Sequence, residues 1–228
     1  DNIDTHDKMP TTAGSRILKN AFPIRDSWVA KKLRDAGAVI IGKSNLSEWA
    51  NYRASYSSSG WSGLGGQTKN PYVLDRNPCG SSSGSAVAVS ANLCAIAIGT
   101  ETWGSIMCPS NANGIVGIKP TVGLWSRAGI IPISYTQDTA GPMSRNVEDA
   151  AVMLGALTGV DDNDDKTKES KNNSYKDYTQ FLKKEGLQGK RIGYVKTMNG
   201  KNHRLDLLME NTIKDLEKGG AEIIEINN

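Results

Sequence analysis

Cys79-Gly80-Ser81-Ser82-Ser83-Gly84-Ser85 is the stretch whose reading decides the fold. An apolar run, Ala86-Val87-Ala88-Val89, follows it directly, and a second, Ala95-Ile96-Ala97-Ile98, leads to another small-residue turn, Gly104-Ser105-Ile106. Glycine and serine permit tight turns with exposed backbone, so amide N–H groups can point into a cavity beside a nucleophilic hydroxyl. A flexible Ser/Gly linker is not expected between runs of Ala, Val and Ile. The apolar runs read instead as a helix over 85–93, its N-terminus aimed at the serine cluster, and a buried strand over 95–98. That strand delivers the chain to the turn at 100–105.

Working outward, Ser27 is placed to cap a helix over 28–36, where Val29, Leu33 and Ala36 recur at helical spacing before Gly37 stops it. Ala38-Val39-Ile40-Ile41 then reads as a buried strand, and helix–strand alternation of this kind indicates an α/β layer. Asn146, with Asp149 three residues on, begins another helix in capping-box style, running to about 157. The polar stretch 161–174 shows no periodicity and is expected to be a mobile surface loop. Beyond it come a strand over 191–196, an amphipathic helix over 205–218, a Gly219-Gly220 turn and a strand over 221–226. No internal repeat is visible, and residues 1–228 read as a single domain.

At 228 residues, with 38% hydrophobic and 22% charged residues, the composition is ordinary for a soluble globular protein. The net charge of +3 is mild and the lysines are scattered, so nucleic acid is not an expected partner. Neither is a membrane: the longest apolar run, 86–98, is interrupted by Ser90, Asn92 and Cys94 and is too short to cross a bilayer. Cys79, Cys94 and Cys108 are odd in number and lack metal-type spacing, so they read as free thiols, pointing to a reducing, cytoplasmic location. With His6 and His203 the only histidines, no histidine-based metal site is expected. A serine hydroxyl needs a base to take its proton. Both histidines lie in polar stretches far from the serine motifs, which leaves a buried, neutral lysine as the main alternative.

Four segments carry a family resemblance. They are Gly42-Lys43-Ser44-Asn45-Leu46-Ser47-Glu48-Trp49, the Ser/Gly block at 79–85, Thr100-Glu101-Thr102-Trp103-Gly104-Ser105-Ile106, and Gln137-Asp138-Thr139-Ala140-Gly141-Pro142-Met143. Together they resemble the amidase signature family, from Asp1 to about 162 and more loosely to the end. The Cys-Gly-Ser-Ser-Ser-Gly-Ser form and Cys108-Pro109 are most similar to its branch of peptide amidases and cyclic amide hydrolases. The resemblance implies an α/β fold, a twisted mixed β-sheet flanked by helices, here incomplete at both ends like the central part of an amidase. It implies hydrolysis of a small carboxylic amide through a Ser-cisSer-Lys mechanism, with no metal or organic cofactor. Ser105 is then the nucleophile that forms the acyl-enzyme, and Ser81 the serine that relays protons across a cis Gly80–Ser81 peptide. Backbone N–H groups of Thr102, Trp103, Gly104 and Ser105 form the oxyanion hole, and Ser82 steadies the cluster. Ser83 and Ser85 read as turn or cap residues.

Two departures qualify the transfer. The family's general-base lysine sits immediately before the segment that matches Asp1-Asn2-Ile3-Asp4-Thr5, so it is expected to fall outside this chain, while Lys43 and Lys119 match structural motifs. Trp103 stands where the related branch carries a small polar residue, so its indole either crowds the acyl site or turns outward. Trp49 and Trp61 read as packing residues rather than pocket walls. The competing readings are a catalytically inactive remnant that binds amide-like ligands, and the amidotransferase subunit that works on charged transfer RNA. The mild charge and the Cys-Gly-Ser-Ser-Ser block disfavour the latter, whose branch tends toward Gly-Gly-Ser-Ser-Gly-Gly. An incomplete sheet would leave an unpaired edge through which a second copy could associate.

Overall fold

Ser27 is extended and its hydroxyl accepts the Ala30 N–H, so the first helix, α1 (Trp28–Asp35), starts where a capping serine dictates. The computed structural model describes residues 1–198 and 200–226. After α1 come a short hairpin, β1 (Trp61–Ser62) and β2 (Gly66–Gln67), then α2 (Ser83–Ser90), β3 (Ile96–Glu101), α3 (Met107–Ala112), β4 (Val116–Gly117), β5 (Thr139–Ser144) and α4 (Val147–Ala156). Asn146 caps α4 by accepting the Asp149 N–H, and its amide donates back to the Asp149 carboxylate.

The central sheet has the order β3-β5-β4, with both pairings antiparallel. Its register sets Ile96 opposite Ser144 and Glu101 opposite Thr139. β5 is buried throughout although its sequence, Thr-Ala-Gly-Pro-Met-Ser, lacks the marks of a strand. Two apolar clusters hold the layers together. On one side Val29, Trp125, Ala140, Met153, Leu154 and Leu157 pack, and the Trp125 indole N–H donates to Leu154 O at 2.9 Å. On the other, Ala86, Ile106 and Met143 join α2 and the start of α3 to β5. The result is the expected mixed α/β architecture with helices flanking sheets.

Residues 38–41 depart from the expectation. They form no strand among the described residues, and Val39 and Ile41 are exposed. An apolar run becomes a strand only when a neighbour accepts its backbone hydrogen bonds, and none is present here. The stretch 161–174 also differs from a bare loop. It contains a 3-10 turn, Asp165–Ser170, with Asp161, Asp164, Thr167 and Ser170 buried.

Contacts divide the chain into two compact units, Asp1–Tyr178 and Thr179–Asn228. The second contains β6 (Arg191–Val195), α5 (His203–Lys218) and β7 (Glu222–Ile226). β6 and β7 pair in parallel, and Asn202 caps α5 by accepting the Arg204 and Leu205 N–H groups. No helix among the described residues is long and apolar enough to cross a membrane.

Candidate active site

The serine loop is fixed from several sides. Cys79 adopts a left-handed conformation (φ 59), the Gly80–Ser81 peptide is cis as expected, and Ser81 is almost wholly buried. Ser81 O accepts the Ser47 N–H at 3.0 Å, and the Ser83 hydroxyl donates to Cys79 O at 2.6 Å. Gly84 lets the first turn of α2 lie directly on Asn45, whose carbonyl accepts the Gly84 N–H at 2.7 Å. A Cβ at Gly84 would stand 2.7 Å from the Asn45 backbone nitrogen, so no other residue fits. Ser82 ties this loop to β3: its hydroxyl donates to Thr100 O and accepts the Thr100 N–H, both at 3.0 Å. Its own N–H donates to Ser105 O at 3.1 Å, which joins the two serine segments directly. Ser85 donates to Ile98 O and pairs with the Ser44 hydroxyl, in keeping with a structural part.

The turn that carries Ser105 leaves the end of β3 through Glu101, which is buried. Its Oε1 accepts the Gly104 N–H at 2.7 Å, and Oε2 accepts the Ile106 and Met107 N–H groups at 2.7 and 3.0 Å. Gly104 has φ +80, which allows the chain to reverse between Trp103 and Ser105. Of the four amides expected at an oxyanion hole, that of Gly104 is therefore already engaged. Those of Thr102, Trp103 and Ser105 have no protein acceptor among the described residues. The Thr102 hydroxyl is held by Asp138 Oδ1 at 2.5 Å, while Asp138 Oδ2 accepts the Ile133 and Ser134 N–H groups.

Ser81, Ser105 and Thr102 line one cavity of about 250 Å³. Among the described residues no side chain hydrogen-bonds to the Ser81 or Ser105 hydroxyl. One wall is apolar, from Ile130, Ile131, Pro132 and Ile133, and Ala50 forms part of another. The remaining wall is built by Arg127 and Asp164, neither of which stood out in the sequence. Arg127 Nε and Nη2 meet the two Asp164 oxygens at 2.8 and 2.6 Å, Arg127 Nη1 donates to Tyr135 O, and the guanidinium lies 4.9 Å from the Tyr135 ring centre. Burial alone pushes the Asp164 carboxyl up, but the side-chain and backbone hydrogen bonds from Arg127 outweigh it and hold the group below its ordinary value. Asp138 and Glu101 lie inside motifs quoted above, yet nothing in the residue pattern indicated which backbone groups they hold.

Other residues singled out in the sequence fall elsewhere. The Trp103 side chain is 88% exposed, so of the two alternatives the indole is turned outward. Lys43 Nζ donates to Met9 O, Pro10 O and Thr11 Oγ1, and burial, opposed by Asp4, Asp7 and Asp26, lowers its pKa. Lys119 donates to Gln137 O. His6 is exposed and does not line the cavity, and His203 is exposed at the start of α5 in the second unit. Trp61 stacks under the Arg53 guanidinium at 4.6 Å, a packing role.

The cysteines require a correction. Cys79 and Cys108 form a disulfide with a Cα–Cα distance of 5.8 Å, and only Cys94 is free. The fold brings Cys79, at the head of the serine loop, beside Cys108, which follows the Ser105 turn, a proximity that their spacing could not reveal. The bond removes the premise on which a reducing compartment was expected. No group of His, Cys, Asp and Glu that could hold a metal occurs among the described residues.

Comparison with known proteins bears on the family and the fold. The profile of the family described as Amidase matches residues 1–228. A probable amidase of Arabidopsis thaliana is 50% identical over 229 residues, covering 100% of this chain and 43% of that protein. The crystal structure of peptide amidase from Stenotrophomonas maltophilia superposes with a TM-score of 0.96 at 53% identity, covering 99% of this chain and 46% of the other. A glutamyl-tRNA(Gln) amidotransferase subunit from Thermotoga maritima gives 0.85 at 34% identity, covering 99% and 48%. The chain thus spans under half the length of these relatives.

Proposed function

The chain belongs to the amidase family, and from that premise we propose that it carries the nucleophile half of a serine amidase site acting on a small carboxylic amide. The observation that carries the reading is the shared cavity: two serines on separate segments, joined by the Ser82 N–H to Ser105 O bond, face one space with both hydroxyls uncommitted. In this reading Ser105 Oγ attacks the amide carbon and passes its proton through Ser81 toward the leaving nitrogen. The N–H groups of Trp103 and Ser105 receive the developing oxyanion. Amine or ammonia departs, and water then hydrolyses the acyl ester along the same relay. The base that starts the relay is a lysine other than Lys43, whose Nζ is engaged with Met9, Pro10 and Thr11. That engagement is also what favours the second reading, a remnant that binds amides without turning them over. Residues 1–228 are read as one portion of a single amidase domain. The peptide amidase likeness favours an amide substrate of peptide type over charged transfer RNA.

Intact-mass analysis after exposure to a fluorophosphonate tests the proposal. One adduct per chain, mapped to Ser105 and abolished by Ser105→Ala, is the expected result. A folded chain that takes no label would overturn the hydrolase reading and leave the remnant.

A further inference from the structure

We propose that Glu101 is a positioning residue that assigns the backbone amides of the nucleophile turn to their tasks; the inference rests on the amidase reading of Ser105. Five consecutive N–H groups, those of residues 103 to 107, leave the turn within a short space. The Glu101 carboxylate takes three: Gly104 on Oε1, and Ile106 and Met107 on Oε2. The next N–H along the chain, that of Cys108, belongs to the following turn and donates to Gly104 O at 2.8 Å. The two N–H groups left over, Trp103 and Ser105, are separated by the one glycine whose amide the carboxylate pulls inward. Gly104, at φ +80, reverses the chain between them, and neither of its neighbours' N–H groups donates to Glu101.

Glu101 is 5% exposed and forms no ion pair with a described residue, so backbone dipoles alone meet its charge. A buried carboxylate in that state is kept only where several donors converge on it. Two anchors prevent the turn from simply following the side chain: Thr102 is tied to Asp138 at one end, and Ser105 O to the Ser82 N–H at the other. The carboxylate therefore acts between two fixed points. It decides which amides face inward and which remain for a tetrahedral oxygen.

The chemistry of the side chain makes the idea testable. Glutamine has the same shape but only one acceptor oxygen, so Glu101→Gln sets its NH2 against either the Gly104 N–H or the Ile106 and Met107 pair. Glu101→Asp keeps both oxygens but withdraws them by one methylene.

The experiment measures four things on the full chain carrying Glu101→Gln or Glu101→Asp: Ser105 labelling, steady-state hydrolysis of a peptide amide, affinity for a peptide aldehyde, and amide hydrogen exchange. Loss of oxyanion donors lowers kcat by roughly 10²–10³-fold. The expected pattern is that drop in kcat with KM little changed, aldehyde affinity falling in parallel, and an unreactive N-methyl amide binding as before. Exchange at Gly104, Ile106 and Met107 accelerates in the variants while β3 stays protected. A merely structural residue would move both ligands and the melting temperature together. If the wild type labels and the variants keep kcat and aldehyde affinity, the inference is overturned and the Ser105 assignment survives. If the wild type neither labels nor turns over amide, the amidase reading fails. The exchange arm then decides alone: unchanged protection at the three amides overturns the role of Glu101, and selective loss supports the amide sorting.

Discussion

At the scale of single residues, the site is bounded by backbone conformations that side chains rarely adopt. Trp49, Ala50 and Asn51 form one left-handed turn, with φ of 51, 52 and 72, and Ala50 lies on the cavity wall. Each such non-glycine residue costs ~1–2 kcal/mol, of which glycine's greater freedom in the unfolded chain would return part. Ala50→Gly is accordingly expected to stabilise the fold by about 0.5–1 kcal/mol in urea titrations. A lower midpoint would show that packing of the Ala50 methyl outweighs the strain. Gly84 gives the opposite case. Its Cβ would meet the Asn45 backbone, so Gly84→Ala should destabilise by about 1–3 kcal/mol through overpacking and displace the serine loop. The sequence made Ser81, Ser82 and Ser105 legible because hydroxyls in small-residue turns are chemically conspicuous. Glu101, Arg127 and Asp138 were not legible as site residues, since Glu101 holds main-chain amides, Asp138 holds main-chain amides and the distant Thr102 hydroxyl, and Arg127 meets a carboxylate far along the chain.

Among elements, those with local signals were readable and those defined by a neighbour were not. The helices α1 and α4 begin at Ser27 and Asn146, whose capping bonds join residues three apart. β5 contains Gly141 and Pro142, yet it sits between β3 and β4 because Pro142 faces Ile98 where β4 has ended, and Ile118 N–H still reaches Pro142 O. Periodicity cannot report such a placement, and for the same reason it promoted 38–41 to a strand that has no partner. Two cross-links between segments have measurable weight. The Cys79–Cys108 disulfide has a sequence separation of 29 and encloses both serine segments. Its loop-closure value is about 3.5 kcal/mol, so a Cys79→Ala/Cys108→Ala variant should lose that much stability in urea and label more slowly at Ser105. Equal stability with and without the pair would count against the bond. Asp164→Asn leaves Arg127 without its anionic partner in a nearly dry wall and should cost about 3 kcal/mol. The pH sign follows from the depressed carboxyl: the pair's contribution is complete above the unfolded value near 3.8 and is lost as pH falls through the lower folded value. Melting curves should therefore show the wild type's advantage over Asp164→Asn shrinking below about pH 4; an advantage independent of pH would exclude the ion pair as its source.

For the whole molecule, a second and larger space adjoins the cavity that Ser81 and Ser105 share, with Asn2, Ser81 and Thr100 lining both. The smaller cavity sets an apolar wall at 130–133 beside the Arg127–Asp164 ion pair. The larger, about 730 Å³, runs along residues 38–44, Leu46, β3, Leu93 and Met153. Its margins include Val39 at 84% and Leu93 at 69% exposure, so much of its apolar lining is in contact with water. Apolar surface in a concave setting binds amphiphilic aromatic probes, because the probe and the wall release water together. The native chain is expected to raise 1-anilinonaphthalene-8-sulfonate fluorescence while keeping a sharp, cooperative melting transition. Val39→Lys and Leu93→Lys replace side chains that are already mostly solvated, so they should reduce the fluorescence without shifting the transition. Ser105 labelling should also be unchanged, since neither residue lines the cavity shared by the two serines. Unchanged fluorescence in both variants would place the probe elsewhere. A broad transition with fluorescence intact would instead mean that loosened packing, rather than this groove, takes up the dye.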